Sequence, residues 1–97
     1  MKIVWSPLAM DRVVEIAAYI CEDSPAAAEG WIRRIFSRVG QLGSFPLSGR
    51  RVPETARKDI REIIWDNYRI IYRVERKQVS ILTVRHGRQI LPIDELN

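Results

Sequence analysis

Residues 60–85 have the sequence IREIIWDNYRIIYRVERKQVSILTVR. It contains three runs rich in β-branched and aromatic residues, which favour β-strands: 60–65, 68–74 and 79–85. The connection between the first two runs is Asp66-Asn67, and both residue types tolerate the positive φ of a tight hairpin turn. Glu75 to Gln78 connects the second run to the third. This stretch therefore predicts a three-stranded antiparallel meander.

Two helices are predicted before the meander. Ser6-Pro7 supplies an N-cap and a first-turn proline, which together are a start signal for a helix. The apolar residues that follow at helical spacing, as far as about Glu22, are Leu8, Val13, Ile16, Ala17 and Ile20. Residues 23–25 end this helix and cap a second one, with its apolar face at Ala28, Trp31, Ile32, Ile35, Phe36, Val39 and Leu42. The pair predicts a helical hairpin that ends near Gly43.

The remaining segments complete an α+β fold. Lys2 to Trp5 predicts a short strand, 47–59 predicts a loop, and 86–97 is expected to leave the sheet. The element order is β-α-α-β-β-β, with the helical hairpin on one face of the sheet. A length of 97 residues predicts a single domain over 1–97. The opposite sheet face is expected to carry polar residues, to bind a partner, or both.

Cysteine content and hydropathy indicate the compartment. Cys21 is the only cysteine, which excludes an internal disulfide, and we interpret it as a small buried apolar residue. No signal peptide precedes Ser6-Pro7, and no apolar run is long enough to span a membrane. These features predict a cytoplasmic protein without a membrane partner.

The positive charge lies in the second half of the chain. Residues 1–49 contain five Lys or Arg and five acidic residues, whereas residues 50–97 contain eleven Lys or Arg and seven acidic residues. A basic half of this kind suits an anionic partner, either nucleic acid or an acidic protein segment. Solvated surface is the alternative interpretation.

Several motifs resemble one family in order and spacing. They are SPLA at 6–9, FPLSGR at 45–50, IRE at 60–62, NYRIIYRV at 67–74 and VSILTVRHGR at 79–88. Together they are similar to the RelE/ParE family of toxins from type II toxin–antitoxin systems. The resemblance covers roughly residues 3–90 and implies the β-α-α-β-β-β toxin fold and a cognate antitoxin as partner.

The family resemblance implies one of two targets. ParE-like members inhibit DNA gyrase without chemistry of their own, and RelE-like members cleave mRNA on the ribosome without a metal. The YRIIYRV strand and the HGR ending look more like the ParE branch, which implies gyrase inhibition, growth arrest and plasmid stabilisation. The alternatives are a ribosome-dependent mRNA endonuclease and a non-toxic module that binds its antitoxin. No cofactor and no metal is expected.

The candidate catalytic residues apply only to the RelE-like alternative. Metal-free RNA cleavage needs a base, an acid and cations on the phosphate. The resemblance implies Glu54 as base, Arg69 as phosphate ligand and His86 as acid or base. A catalytic tyrosine of several nuclease relatives is missing after the last strand, and their lysine-rich loop is reduced to Lys58, which argues against cleavage. Further residues predicted to bind a target or phosphate are Arg50, Arg51, Lys58, Arg61, Arg85 and Arg88.

Each candidate also has a structural interpretation. His86 beside a glycine could satisfy backbone groups where the strand ends. Arg69 and Arg73 lie on one sheet face and could pair with Glu62 or Glu75 as a cross-strand ladder. The aromatic residues interpreted as core rather than as stacking platforms are Trp31, Trp65 and Tyr72.

Overall fold

The computed structural model describes residues 1–87 and 89–96. The helices are α1 (Pro7–Asp23) and α2 (Pro25–Gly40), and single 3₁₀ turns span Gln41–Gly43 and Ile93–Leu96. The strands are β1 (Lys2–Trp5), β2 (Arg50–Arg51), β3 (Ile60–Trp65), β4 (Tyr68–Val74) and β5 (Gln78–His86). The predicted α+β order is confirmed, with the short strand β2 as an addition.

The strands form one five-stranded sheet in the order β1-β5-β4-β3-β2. Strand β1 runs parallel to β5, and the other neighbouring strands are antiparallel. The helical hairpin therefore carries the chain from one edge of the sheet to the other. Strand β2 was missed in the predicted loop 47–59 because two residues are too few to show an alternating pattern.

Local signals place the helices and the first turn as predicted. The Ser6 hydroxyl accepts a hydrogen bond from the Ala9 N–H at 3.0 Å, and the Ser24 hydroxyl accepts one from the Ala27 N–H at 3.1 Å. These N-caps satisfy amide groups that lack partners within the helix. Asp66 and Asn67 have φ values of 50° and 67°, which confirms the tight hairpin turn between β3 and β4.

The main core lies between the helical hairpin and the sheet. Its buried members are Ala9, Val13, Ala17, Trp31, Ile35, Val39, Leu42, Ile63, Ile70, Tyr72, Val79, Ile81 and Val84. Trp31 and Tyr72 are buried, and Trp65 packs against this core, as predicted. Within the described residues, no helix has the length and apolar character needed to cross a membrane.

A second core covers the opposite face of the sheet. It consists of Val52, Ile60, Ile71, Leu82, Leu91 and Leu96. The prediction that 86–97 leaves the sheet is therefore wrong for His86, which ends β5, and for Leu91 and Leu96, which pack against the sheet. The reason is that β3, β4 and β5 each present an apolar side chain on this face, and Leu91 and Leu96 cover them. The pattern of 86–97 alone is too polar to reveal this contact.

Two helical residues are more exposed than predicted. Cys21 was interpreted as buried but is exposed, because it lies to one side of the α1 stripe that contains Val13 and Ala17. Phe36 was placed on the buried face of α2 but is 36% exposed, with its ring centroid 4.7 Å from that of Trp5.

The buried Tyr72 hydroxyl holds the segment that follows α2. It accepts a hydrogen bond from the Gly49 N–H at 2.9 Å and donates one to the Pro46 carbonyl at 2.8 Å. Burial raises the pKa of Tyr72, so the hydroxyl stays neutral. A Cβ at Gly49 would lie 2.5 Å from both the Tyr72 hydroxyl and the Glu62 carbonyl. The backbone approach at Gly49 thus requires glycine.

We expect Gly49→Ala to lower the free energy of unfolding by about 1–3 kcal/mol, because the added methyl group would clash with the Glu62 carbonyl oxygen and the Tyr72 hydroxyl oxygen. Gly40→Ala is the matched control, since nothing lies within 4 Å of a Cβ built there. Removing this helical glycine should raise stability by roughly 0.5–1 kcal/mol. Urea unfolding, compared at constant m-value, measures both changes. Equal midpoints for the two variants would contradict the close approach at Gly49.

Candidate functional site

The predicted catalytic residues Glu54 and Arg69 lie together in a charged cluster on the second face of the sheet. The Arg69 guanidinium on β4 donates to both Glu54 carboxylate oxygens, at 2.7 and 2.8 Å. Its Nε donates to Glu62 on β3 at 2.6 Å. The other Glu62 oxygen accepts from Arg50 Nε at 2.8 Å. We call these four residues the Arg69 cluster.

The centre of the Arg69 cluster is removed from water. Glu62 has no exposed surface and Arg69 is 5% exposed. Burying such charges is unfavourable unless each is paired and hydrogen-bonded. Two arginines and two carboxylates meet that requirement, because their formal charges balance. Removing Arg69 would leave the buried Glu62 with only the exposed Arg50 as a partner, and breaking a buried ion pair in this way typically costs about 3–5 kcal/mol.

The cluster also fastens the segment after β5. The Leu91 N–H donates to Glu54 at 3.2 Å, and Arg69 donates to the Gln89 carbonyl at 3.3 Å. Hydrogen bonds from Arg69, with a smaller contribution from the Leu91 N–H, lower the pKa of Glu54 from 4.5 to about 2 against the effect of burial. The same contacts raise the pKa of Arg69.

These contacts bear on the chemistry that the cluster can perform. A carboxylate with a pKa of about 2 is a weak proton acceptor near neutral pH. Arg69 directs its donors to Glu54 and Glu62 instead of into an open cavity. Both predicted pairs are present, but only one joins two strands: Arg69 pairs with Glu62 on β3, whereas Arg73 lies 3.6 Å from Glu75 just after its own strand. The geometry favours a structural role for Glu54 and Arg69 over a catalytic one.

His86 lies at the end of β5 and is exposed. It is opposite Tyr68 in the strand register, and the two rings meet edge to face with centroids 5.9 Å apart. Its backbone N–H donates to the Gln89 side chain at 3.2 Å. The residue borders two surface depressions of about 470 and 220 Å³, the larger of which also contains Arg50 and Asn67. His86 is therefore accessible to a partner.

The predicted cationic residues fall into two groups. Arg61 is tied to the Gly49 carbonyl at 2.8 Å, and Arg85 is tied to Glu95 at 2.8 Å. Three are exposed and could meet an anionic partner: Arg50, Arg51 and Lys58. Arg88 was also predicted to bind a target and lies outside the described residues. Of the five predicted cations within the described residues, the structure thus leaves three exposed at the surface.

Glu95 forms a second charged site that the sequence analysis missed. Its carboxylate accepts from the Thr83 hydroxyl at 2.7 Å and from Arg85 at 2.8 Å, and it lies 3.5 Å from Arg12 on α1. It joins the end of the chain to both the sheet and the helical hairpin. No local pattern marks Glu95, because its partners are distant in the sequence.

An apolar groove on the outer surface of the helical hairpin was also missed. It has a volume of about 710 Å³ and is lined by Met10, Val13, Val14, Ala17, Ala18, Cys21, Pro25, Ala26, Ala28, Glu29, Ile32 and Phe36. Val14 in this groove is 62% exposed. The signal was present in the sequence, because Met10, Val14, Ala18 and Cys21 form a second apolar stripe at helical spacing. We call this surface the helical groove.

Comparisons with known proteins agree with this architecture. A family model described as "ParE toxin of type II toxin-antitoxin system, parDE" matches residues 3–91. The candidate toxin Y4kP of Sinorhizobium fredii (strain NBRC 101917 / NGR234) is 40% identical over 93 residues, which cover 94% of this chain and 93% of that protein. A solved chain from "Chromosomal ParDE TA system from P. aeruginosa" aligns with a TM-score of 0.74 at 20% identity, covering 89% of this chain and 95% of that chain. The last match shows a shared fold.

The pKa of Glu54 predicts an acid-sensitive contribution to stability. Its pKa is about 2 in the folded protein, below the ordinary 4.5, so the contribution is complete above pH 4.5 and is lost as pH falls toward 2. A shift of that size corresponds to roughly 3 kcal/mol. We expect Glu54→Gln to be less stable than the wild type at pH 7 by about that amount, and the difference to shrink below pH 4.5.

Urea unfolding between neutral and acidic pH measures this difference. Glu22→Gln is the control, because Glu22 is an exposed carboxylate on α1. Its stability curve should run parallel to that of the wild type at each pH. A constant gap between the wild type and Glu54→Gln down to pH 2 would contradict the proposed ion pair.

Proposed function

The chain belongs to the ParE toxin family of type II toxin–antitoxin systems, and on that premise we propose that it inhibits DNA gyrase by binding and is neutralised by a cognate antitoxin. The observation that carries the proposal is the bidentate ion pair between Glu54 and Arg69. It occupies the two groups that an mRNA-cleaving mechanism would use as base and phosphate ligand. The toxin would therefore act through its surface, without catalysing a reaction.

The pairing of Glu54 with Arg69 supports a binding mechanism over cleavage. Attack by a ribose 2′-hydroxyl needs a group that accepts its proton, together with cations that stabilise the phosphate. Glu54 has a pKa of about 2, and the Arg69 donors already bond two carboxylates. A nuclease using these residues would first have to break a buried ion pair, which is energetically unfavourable.

Ribosome-dependent mRNA cleavage is the second candidate, and the position of His86 favours it. The side chain is exposed and shares a depression of about 470 Å³ with Arg50 and Asn67. An imidazole can act as either a proton donor or a proton acceptor in catalysis. An arginine beside it could contact a phosphate. In this mechanism His86 would be indispensable.

We propose the helical groove as the binding site for the antitoxin. Large exposed apolar patches on a small protein mark interaction sites, and this groove is almost entirely apolar. Its length along two antiparallel helices suits an amphipathic helix that folds on binding. The occupant would be a segment of a small protein encoded beside the toxin, with apolar residues facing Val14 and Ala18.

The target is tested by inducing the chain without its partner in bacteria and following thymidine and methionine incorporation side by side. We expect thymidine incorporation to stop first, because gyrase inhibition blocks replication before translation. His86→Ala should arrest growth as the wild type does, and purified toxin should inhibit supercoiling by gyrase. Early loss of methionine incorporation, abolished by His86→Ala, would instead support mRNA cleavage. Harmless accumulation of folded protein would identify a non-toxic antitoxin-binding module.

The antitoxin site is tested by placing charge in the helical groove. The double variant Val14→Glu/Ala18→Glu should fold, since both side chains are exposed, and should bind the neighbouring antitoxin at least about tenfold more weakly because it buries two carboxylates against apolar surface. Tyr19→Glu is the matched control, because Tyr19 is 71% exposed on the same helix and lies outside the groove. Isothermal titration calorimetry gives the dissociation constants. Equal weakening by both variants would place the antitoxin elsewhere.

A further inference from the structure

A turn after α2 presents two large apolar side chains to solvent. Phe45 is 66% exposed and Leu47 is 64% exposed. The Ser48 N–H donates to the Phe45 carbonyl at 3.1 Å, which closes the turn, and the Phe45 N–H donates to the Gln41 carbonyl at 3.0 Å. We call residues 45–48 the apolar turn. It is separate from the helical groove, whose lining lies within residues 10–36.

Side chains of the sheet fix the apolar turn through hydrogen bonds to its backbone. The Tyr72 hydroxyl donates to the Pro46 carbonyl and accepts from the Gly49 N–H. Arg61 Nη1 donates to the Gly49 carbonyl at 2.8 Å and reaches the Leu47 carbonyl at 3.5 Å. A surface that is already ordered loses little conformational entropy on binding. The turn therefore presents Phe45 and Leu47 in a fixed arrangement suited to insertion into a pocket.

The charged residues that flank the apolar turn in the sequence are all positive. From Gly30 to Pro53 the chain contains five arginines and no acidic residue. Arg38 contacts Gln41, whose carbonyl bonds the start of the turn, and Arg34 lies one helical turn before Arg38. Arg50 and Arg51 follow the turn directly and are exposed. Apolar residues bordered by arginine are typical of the central residues of protein interfaces.

We propose that the apolar turn is the surface through which the toxin binds its protein target, with Phe45 and Leu47 inserted into an apolar pocket bordered by carboxylates. The charge pattern defines this complementary surface, because arginines on both sides of the turn would pair with acidic residues at the pocket rim. The exposed leucine favours a protein over nucleic acid, because aliphatic side chains do not supply the aromatic stacking that single strands use. The inference rests on the proposed function only in naming gyrase as the target.

The test compares two double variants of the full chain. Phe45→Ser/Leu47→Ser removes the two apolar side chains from the turn. Ile90→Ser/Ile93→Ser is the matched control, because these residues are 84% and 74% exposed on the segment after β5. Purified DNA gyrase is the binding probe, measured by biolayer interferometry. We expect the turn variant to bind about 10- to 100-fold more weakly, as for two central interface residues, and the control to stay within about twofold.

Folding and nucleic-acid binding are measured on the same variants. Both double variants should unfold in urea near the wild-type midpoint, because all four side chains are exposed. Equal gyrase affinity of the turn variant and the wild type overturns the inference. A turn variant that loses affinity for labelled DNA or RNA while keeping its affinity for gyrase also overturns it.

Growth arrest separates this inference from the choice of gyrase. If the wild type arrests growth without binding gyrase, the gyrase proposal is wrong. Growth arrest by the two double variants then tests the role of the apolar turn. Loss of growth arrest in Phe45→Ser/Leu47→Ser, with arrest retained in Ile90→Ser/Ile93→Ser, supports the turn as the target-binding surface. Arrest by both variants overturns it. A wild type that neither binds gyrase nor arrests growth overturns both proposals.

Discussion

The buried guanidinium of Arg69 is the interaction on which the second face of the sheet depends. It bonds Glu62 on the neighbouring strand β3, Glu54 in the loop before β3, and the Gln89 carbonyl after β5. Three parts of the chain that are distant in sequence are thereby fixed around one positive charge. Glu62 must be paired with cations, because a carboxylate buried in this way is tolerated only when its charge is compensated. The small second core can then form beside the cluster, with Leu91 and Leu96 over Ile71.

Strand β4 organises both faces of the sheet through alternation of its side chains. Arg69 and Ile71 belong to the second face, whereas Ile70 and Tyr72 belong to the main core. The Tyr72 hydroxyl extends this control to the segment after α2, where it holds Pro46 and Gly49. A single strand thus sets the position of the Arg69 cluster and of the apolar turn. This arrangement separates a rigid interior, in which the charges satisfy one another, from surfaces that are free to bind partners.

Ion pairs within the fold engage part of the positive charge of the second half of the chain. The second half of the chain holds the excess of positive charge, which suits an anionic partner, either nucleic acid or an acidic protein segment. Arg69 and Arg85 are instead engaged by Glu62, Glu54 and Glu95. Arg50 donates through its Nε to Glu62 and borders the same depression as His86, and Arg50 and Arg51 directly follow the apolar turn. The pairing of Arg69 and Arg85 with carboxylates leaves fewer cations for a phosphate, which agrees better with recognition of a protein than with cleavage of a nucleic acid.

The sequence by itself determined the helices, the main strands and the turn at Asp66-Asn67, because these follow from local rules: N-caps, apolar spacing and tolerance of positive φ. The family also followed from the sequence, since its motifs lie in order along most of the chain. Only the tertiary structure decided that Glu54 and Arg69 neutralise each other, that residues 91–96 cover the sheet, and that Cys21 is exposed. These features depend on groups brought together from distant positions, and whether a charge is available for chemistry is decided by the partner that folding places beside it.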